Sequence, residues 1–180
     1  MKSWTQRTAS FFRIGLLTAK PARASDKLKN PDIETVRDIV RKSFIQDQYF
    51  VSGRLPKEVY KDDALFIDPT QQTRGVELWS RAVPALFDWR KCQVDLIDIG
   101  VKDPHHIDIR FRLDGKFTFL LLGLRLKPFT ASCVFTTDDS GLIVEQKETW
   151  DVPASDLLIS ALIKSYGAPP APPVQNALQA

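Results

Sequence analysis

At 180 residues, 43% of them apolar, the chain is long enough for one domain with a substantial core and too short for two comfortable ones. Its 25 basic and 22 acidic side chains leave a formal charge of +3, too balanced for a nucleic-acid or anionic-membrane footprint. Two cysteines, Cys92 and Cys133, stand in apolar strand-like contexts without metal-ligand spacing, which argues against a metal site or disulfide framework and favours a reducing compartment.

The first 25 residues carry Lys2, Arg7, Arg13, Lys20 and Arg23, six Ser or Thr and no acid, an organellar transit-peptide composition that points first to a plastid and second to a mitochondrion. A basic arm that stays on the protein and docks a partner is the competing reading. Asn30 and Pro31 suit an N-cap and first helical position, and Ile33, Val36, Val40 and Phe44 then line one face of a helix over 31–50. Ser52-Gly53 ends it, Pro56 opens a short helical turn, and a strand follows over 64–67. From Gly75 to Phe87 the apolar residues again have helical spacing, with Pro84 predicting a kink or an early end.

Beyond Trp89 the period changes to two. Val94 and Leu96 give way to Ile97, Ile99 and Val101, a phase slip that reads as a β-bulge. Ile107, Ile109, Phe111 and Leu113 alternate with polar neighbours, and Asp114-Gly115 carries a two-residue hairpin signal. A strand ending at Phe135, a turn over 138–141, a strand over 142–150 and a helix over 153–166 stopped by Gly167 complete the pattern. No apolar run is long enough to span a membrane, which leaves peripheral contact open.

Helices followed by a run of hairpin-connected strands predict an α+β fold in which helices cover one face of a curved sheet. The expected organisation is an arm over 1–29, one domain over 30–167 and an extended or disordered Pro/Ala-rich tail over 168–180.

Several motifs carry a resemblance. YFVSG at 49–53, Y-x-D-D-x-x-F-x-D-P-T at 60–70, G-x-x-x-W at 75–79, LFD at 86–88, DSGLI at 139–143 and ETWD at 148–151 occur in order over most of the domain. This set resembles the cone-shaped superfamily of nuclear transport factor 2, SnoaL-like cyclases and ketosteroid isomerase, and within it an uncharacterised plant, algal and cyanobacterial family. The resemblance implies a strongly curved antiparallel sheet forming a cone, with the N-terminal helices packed on its concave side, and a plastid context. Ala64 departs from it, since that family more often carries Cys there.

By the same resemblance Asp68 aligns with the carboxylate that ketosteroid isomerases use as a proton shuttle, and burial in an apolar cone would raise its pKa toward a general base's range. The competing reading is an Asp before Pro-Thr that caps the following turn with its side-chain oxygen. Isomerase chemistry also needs a second, neutral acid and a tyrosine. The matching strand offers Ser132, Cys133 and Val134, so a second carboxylate is not expected; Tyr49 and Tyr60 are the candidate tyrosines. Asp108 and Arg110 read as a solvated strand face, and the adjacent His105 and His106 point to opposite faces and cannot share a metal. No metal or other cofactor is expected. Phe66, Trp79, Phe87, Trp89, Phe111, Phe135 and Trp150 are candidate linings of a lipophilic pocket. Phe119, Leu120, Leu121, Leu122 and Leu124 are too consecutively apolar for a half-exposed strand and are candidates for an interaction surface.

The functional expectation is a non-catalytic accessory or scaffold subunit, or a carrier of a lipophilic small molecule, working with a protein partner or as a homodimer. The alternative is a small isomerase, cyclase or hydrolase using Asp68 as general base beside Tyr49 or Tyr60.

Overall fold

A computed structural model of the protein describes residues 27–118 and 124–174. The proposed transit segment and Phe119, Leu120, Leu121 and Leu122 of the proposed interaction surface lie outside these residues. Four helices, α1 (Ile33–Asp47), α2 (Tyr49–Ser52), α3 (Val76–Leu86) and α4 (Ala154–Leu162), accompany six strands. The strands are β1 (Tyr60–Ile67), β2 (Gln72–Arg74), β3 (Gln93–Asp103), β4 (His106–Asp114), β5 (Phe129–Thr137) and β6 (Ile143–Trp150). They form one curved, open sheet in the order β2-β1-β6-β5-β4-β3. All neighbours are antiparallel except β1 and β6, which run parallel, because the first long strand returns to pair with the last.

Helix α1 is amphipathic as its periodicity predicts. Val36, Val40 and Phe44 are buried, and the helix lies on the concave face of the sheet against β3 and β4. Its cap differs from expectation: Asp32, not Asn30, accepts the Thr35 amide at 2.8 Å, while Asn30 turns the chain with φ 45°. The helix also ends before residue 50, at Gln48, whose φ is 51°. The Gln48 side chain then bonds both backbone groups of Val94, accepting from its amide at 2.7 Å and donating to its carbonyl at 2.9 Å, which pins the helix end to β3. Gly53, with φ 72°, ends α2 against α3; a Cβ there would meet the Ser80 carbonyl oxygen at 2.4 Å and Pro84 Cδ at 2.7 Å. Pro84 lacks an N–H, so the Ser80 carbonyl has no helical donor at that position and this close approach becomes available to Gly53. α3 nevertheless continues through Pro84 to Leu86, nearly the whole of the expected 75–87 span, so Pro84 does not end it early.

The phase slip in β3 is a bulge: its pairing with β4 shifts register between Leu96 and Asp98. Ile107, Ile109, Phe111 and Leu113 of β4 all face the core. The Asp114-Gly115 hairpin does not form. Asp114 instead binds Arg125 at 2.9 Å and Gly115 accepts from the Leu126 amide, so the chain makes a wider excursion before β5 returns to pair with β4 from Leu113 and Phe129. Leu124, half-buried, belongs to that excursion and its carbonyl accepts from Phe117. α4 also ends earlier than expected, four residues before Tyr166; Gly167 serves a later turn, with φ 73°. Among the described residues no helix is long and apolar enough to cross a membrane.

Candidate functional site

The core of the cone is an aromatic ladder. Tyr60 stacks on Phe66 with centroids 5.8 Å apart, and Phe66 stacks on Trp79 at 5.0 Å. Trp79 meets Tyr49 at 6.0 Å, Tyr49 meets Phe50 at 4.7 Å, and Phe50 meets Phe111 at 4.6 Å. Ring against ring at these spacings, the six side chains form one continuous aromatic cluster in the core. Of the proposed pocket-lining residues, Phe66, Phe111 and Phe135 are therefore buried core, and Trp79 closes the ladder from α3. Phe87 packs on Phe117, and Trp89 lies between the guanidinium groups of Arg54 and Arg90 at 4.6 and 4.9 Å, both apart from the ladder.

Polar atoms enter this interior from two tyrosines and one strand. The Tyr60 hydroxyl donates to Gln146 Oε1 at 2.8 Å in a fully buried bond. The Tyr49 hydroxyl lies close enough to Tyr60 for the two to affect each other's titration, but the geometry falls short of a hydrogen bond, so Tyr49 Oη has no partner among the described residues. Burial holds both phenols well above their ordinary pKa. Both stay neutral, and Tyr60 is the one that donates.

Gln146, Glu148 and Trp150 alternate along β6 and share one face, the same face to which Tyr60 reaches. Glu148 stands in register with Cys133 of β5 and accepts from the Trp150 indole N–H at 2.6 Å. Its carboxyl is crowded by protein yet the residue keeps part of its surface open to water, the condition of a group lining an indentation. Desolvation pushes its pKa up to about 8, the Trp150 N–H opposes that shift, and the nearby Asp68 adds to it. At neutral pH Glu148 is thus mostly a carboxylic acid able to donate. Cys133, in register with Glu148, is itself buried, with its thiol pKa raised first by burial, so β5 carries no carboxylate here and the carboxyl at this level comes from β6, which the sequence reading did not single out.

Asp68 sits just beyond the end of β1, half-buried. Its Oδ1 accepts from the Thr70 amide at 2.7 Å, the Thr70 hydroxyl at 2.5 Å and the Gln71 amide at 2.9 Å, the capped turn that Asp-Pro-Thr suggests. All three bonds use one oxygen, so Oδ2 carries none of them. Asp108 and Arg110 lie on the opposite, outer face of the sheet, where Arg110 pairs with Asp151 at 2.7 Å and Asp108 faces Lys102 at 3.8 Å. His106 bonds Asp103 through Nδ1 at 2.7 Å and His105 is exposed. No group of three or more metal-ligating side chains exists among the described residues. A shallow polar indentation at the other end, between Asp32, His105 and Asp138, has both of those carboxylates already spent on a helix cap and a turn.

A family profile described as an uncharacterized conserved protein, DUF2358, matches residues 35–146, most of the domain. The chain belongs to this family. The DUF2358 domain also shares its fold with solved cone proteins. One, from Jannaschia sp. CCS1, is described as a SnoaL-like polyketide cyclase: 17% identity, TM-score 0.51, covering 84% of this chain and all of that one. An LEH-like epoxide hydrolase of M. tuberculosis aligns at 19% identity and TM-score 0.46, over 73% of this chain and 89% of its own. A protein of ketosteroid isomerase-like fold from Catenulispora acidiphila, crystallised with trimethylamine, aligns at 14% identity and TM-score 0.49, over 73% and 93%. No curated protein sequence matches this chain. At these identities the likeness is one of fold, an α+β cone of the nuclear transport factor 2 type. Glu148 and Trp150 lie just beyond the family match, and Gln146 is its last residue.

Proposed function

We propose that this DUF2358 domain binds a small hydrophobic molecule bearing a hydrogen-bond-accepting oxygen, with protonated Glu148 as the anchoring donor at the mouth of the cone. The observation that carries this reading is a carboxyl kept neutral at pH 7 and oriented by the Trp150 indole. The aromatic cluster packed behind it suits a binding module for a hydrophobic molecule. A plastid location extends the proposal and rests on the acid-free basic composition of residues 1–25; a scaffold role with a protein partner or homodimer extends it too, resting on that arm and on the consecutive leucines between Phe117 and Phe129. Import of a fluorescent protein carrying residues 1–30 into isolated chloroplasts tests the location.

Binding of the fluorescent ketone prodan, whose carbonyl only accepts hydrogen bonds, to the purified protein, read by its emission, tests the site. Affinity should be constant at acidic pH and fall as pH rises through about 8, where Glu148 ionises. Glu148→Leu should weaken it about tenfold, and Glu148→Gln, whose amide still donates, should keep it and flatten the pH profile. Binding that ignores both pH and Glu148→Leu sinks the assignment.

A second reading, a small enzyme acting on a cyclic ketone, is favoured by one specific observation: Asp68 lies within electrostatic range of Glu148, giving a neutral acid and a second carboxylate with Oδ2 outside the turn bonds. Exchange of ketone α-protons with deuterated solvent, abolished by Asp68→Asn at unchanged melting temperature, would establish it; lost stability with no exchange to lose would leave Asp68 as a turn cap.

A further inference from the structure

After α4 the chain runs Ala168, Pro169, Pro170, Ala171, Pro172, Pro173, Val174. Every residue from 168 to 173 is a proline or precedes one. Prolines hold φ near −65°, and residues before prolines are driven to extended backbone, so with all peptide bonds trans the segment is restricted to the polyproline II region. That helix has three residues per turn and no internal hydrogen bonds.

Contacts with the domain follow the same period. Lys127 Nζ donates to the Ala168 carbonyl at 3.2 Å and to that of Tyr166 at 2.6 Å. Three residues on, the Ala171 amide donates to the Pro128 carbonyl at 2.7 Å, and its carbonyl accepts from Arg112 Nε at 3.1 Å. Arg112 is itself only 8% exposed on the outer face of β4, held from the other side by Asp95 at 3.3 Å. Another three residues on, Val174 is half-buried like Ala171. Pro169, Pro170, Pro172 and Pro173 are all exposed.

On one edge of the helix Ala168 and Ala171 are held through their backbone by Lys127, Pro128 and Arg112, with half-buried Val174 next in phase, and the other two edges present paired prolines to solvent. The rings therefore contribute little to the stability of their own domain, while the backbone that carries them is already ordered. A fastened polyproline helix has lost its conformational freedom before any partner arrives, which lowers the cost of binding. Grooves that read such helices are lined with aromatic side chains and grip consecutive proline ridges. Exposed Lys164, five residues before Pro169, suits an acidic rim beside the groove.

We infer that residues 168–173 are a preformed docking ridge for a protein domain with an aromatic, acid-rimmed polyproline-binding groove of the SH3 type. This surface is on the outer face of the sheet, separate from the Glu148 site, and its fate is independent of that proposal.

The test uses the full-length chain titrated into an isotopically labelled SH3 domain, with WW and EVH1 domains in parallel, and chemical shifts followed by NMR. Saturable shifts confined to the aromatic groove of the SH3 domain are expected. The double variant Pro170→Ala, Pro173→Ala should weaken them about tenfold with the melting temperature of the chain unchanged, because these rings make no contacts that hold the fold. Binding that survives this double variant, shifts in the WW or EVH1 domain only, or no shifts in any of the three overturns the proposal.

Discussion

Strands β4 and β6 differ in what faces the interior. The inner row of β4 is Ile107, Ile109, Phe111 and Leu113, all buried, with Phe111 against Phe44 of α1. The inner row of β6 is Gln146, Glu148 and Trp150, whose polar atoms are bonded to Tyr60 and to each other. One row contributes stability by burying apolar area and the other holds polar chemistry in a desolvated place, where it costs stability unless satisfied. The difference marks where this cone keeps its options for binding.

The contrast is broken most forcefully from the β4 side. Phe111→Ala removes a fully buried ring that touches Phe44 and Phe50 and should cost about 3–5 kcal/mol in denaturant unfolding. A loss below about 1 kcal/mol would mean the aromatic ladder relaxes into the space, and that the cone is looser than described.

From the β6 side the effect depends on pH. The folded-state pKa of Glu148, about 8, lies above the ordinary glutamate value of 4.5, so between these values the unfolded carboxyl ionises while the folded one stays protonated. The folded state binds more protons there, and its stability declines with rising pH by up to about 1.4 kcal/mol per unit, levelling off above pH 8. Glu148→Gln should remove this decline, matching the parent near pH 4 and exceeding it at pH 9. Parallel pH–stability curves for parent and variant would place Glu148 in ordinary solvent.

Gly53→Ala probes the packing that closes the cone from the helix side. The added methyl collides with the Ser80 carbonyl and Pro84, in a backbone conformation unfavourable for alanine, and about 2–3 kcal/mol should be lost in thermal unfolding. The smallest effect is at Asp68. Asp68→Ala should cost about 1 kcal/mol for the capped turn. Asp68→Asn should keep most of that stability and lower the Glu148 titration midpoint, by removing a neighbouring negative charge, as read by carboxyl carbon NMR.

Legibility follows the same division. Where one face of an element is apolar and the other polar, periodicity reveals both: α1, the bulge at Ile97 and the whole of β4 are readable because burying the apolar row dictates orientation. In β6 the inner Gln146 and Glu148 alternate with Lys147 and Thr149, polar against polar, so no periodicity distinguishes the interior row. The one available hint was Trp150, an aromatic in phase with them. Asp114-Gly115 misled for a different reason: a turn dipeptide reports local backbone preference, and here the Asp114–Arg125 pair and the Gly115–Leu126 bond lead the chain away.

By itself the sequence determined the element types, the apolar row that each presents, the turn at Asp68 and, through the ordered motifs, the cone fold and its family, because these depend on local preference and on the burial of nearby apolar residues. Tertiary structure alone decided that β1 pairs in parallel with β6, that Tyr60 meets a glutamine 86 residues away, that Ala168 and Ala171 between the prolines after α4 are bonded to the domain, and that the pKa of Glu148 is raised to about 8. Each of these depends on the position of groups distant in the chain: a pKa is set by the desolvation and charge that the assembled fold brings around a carboxyl, and no local pattern encodes either.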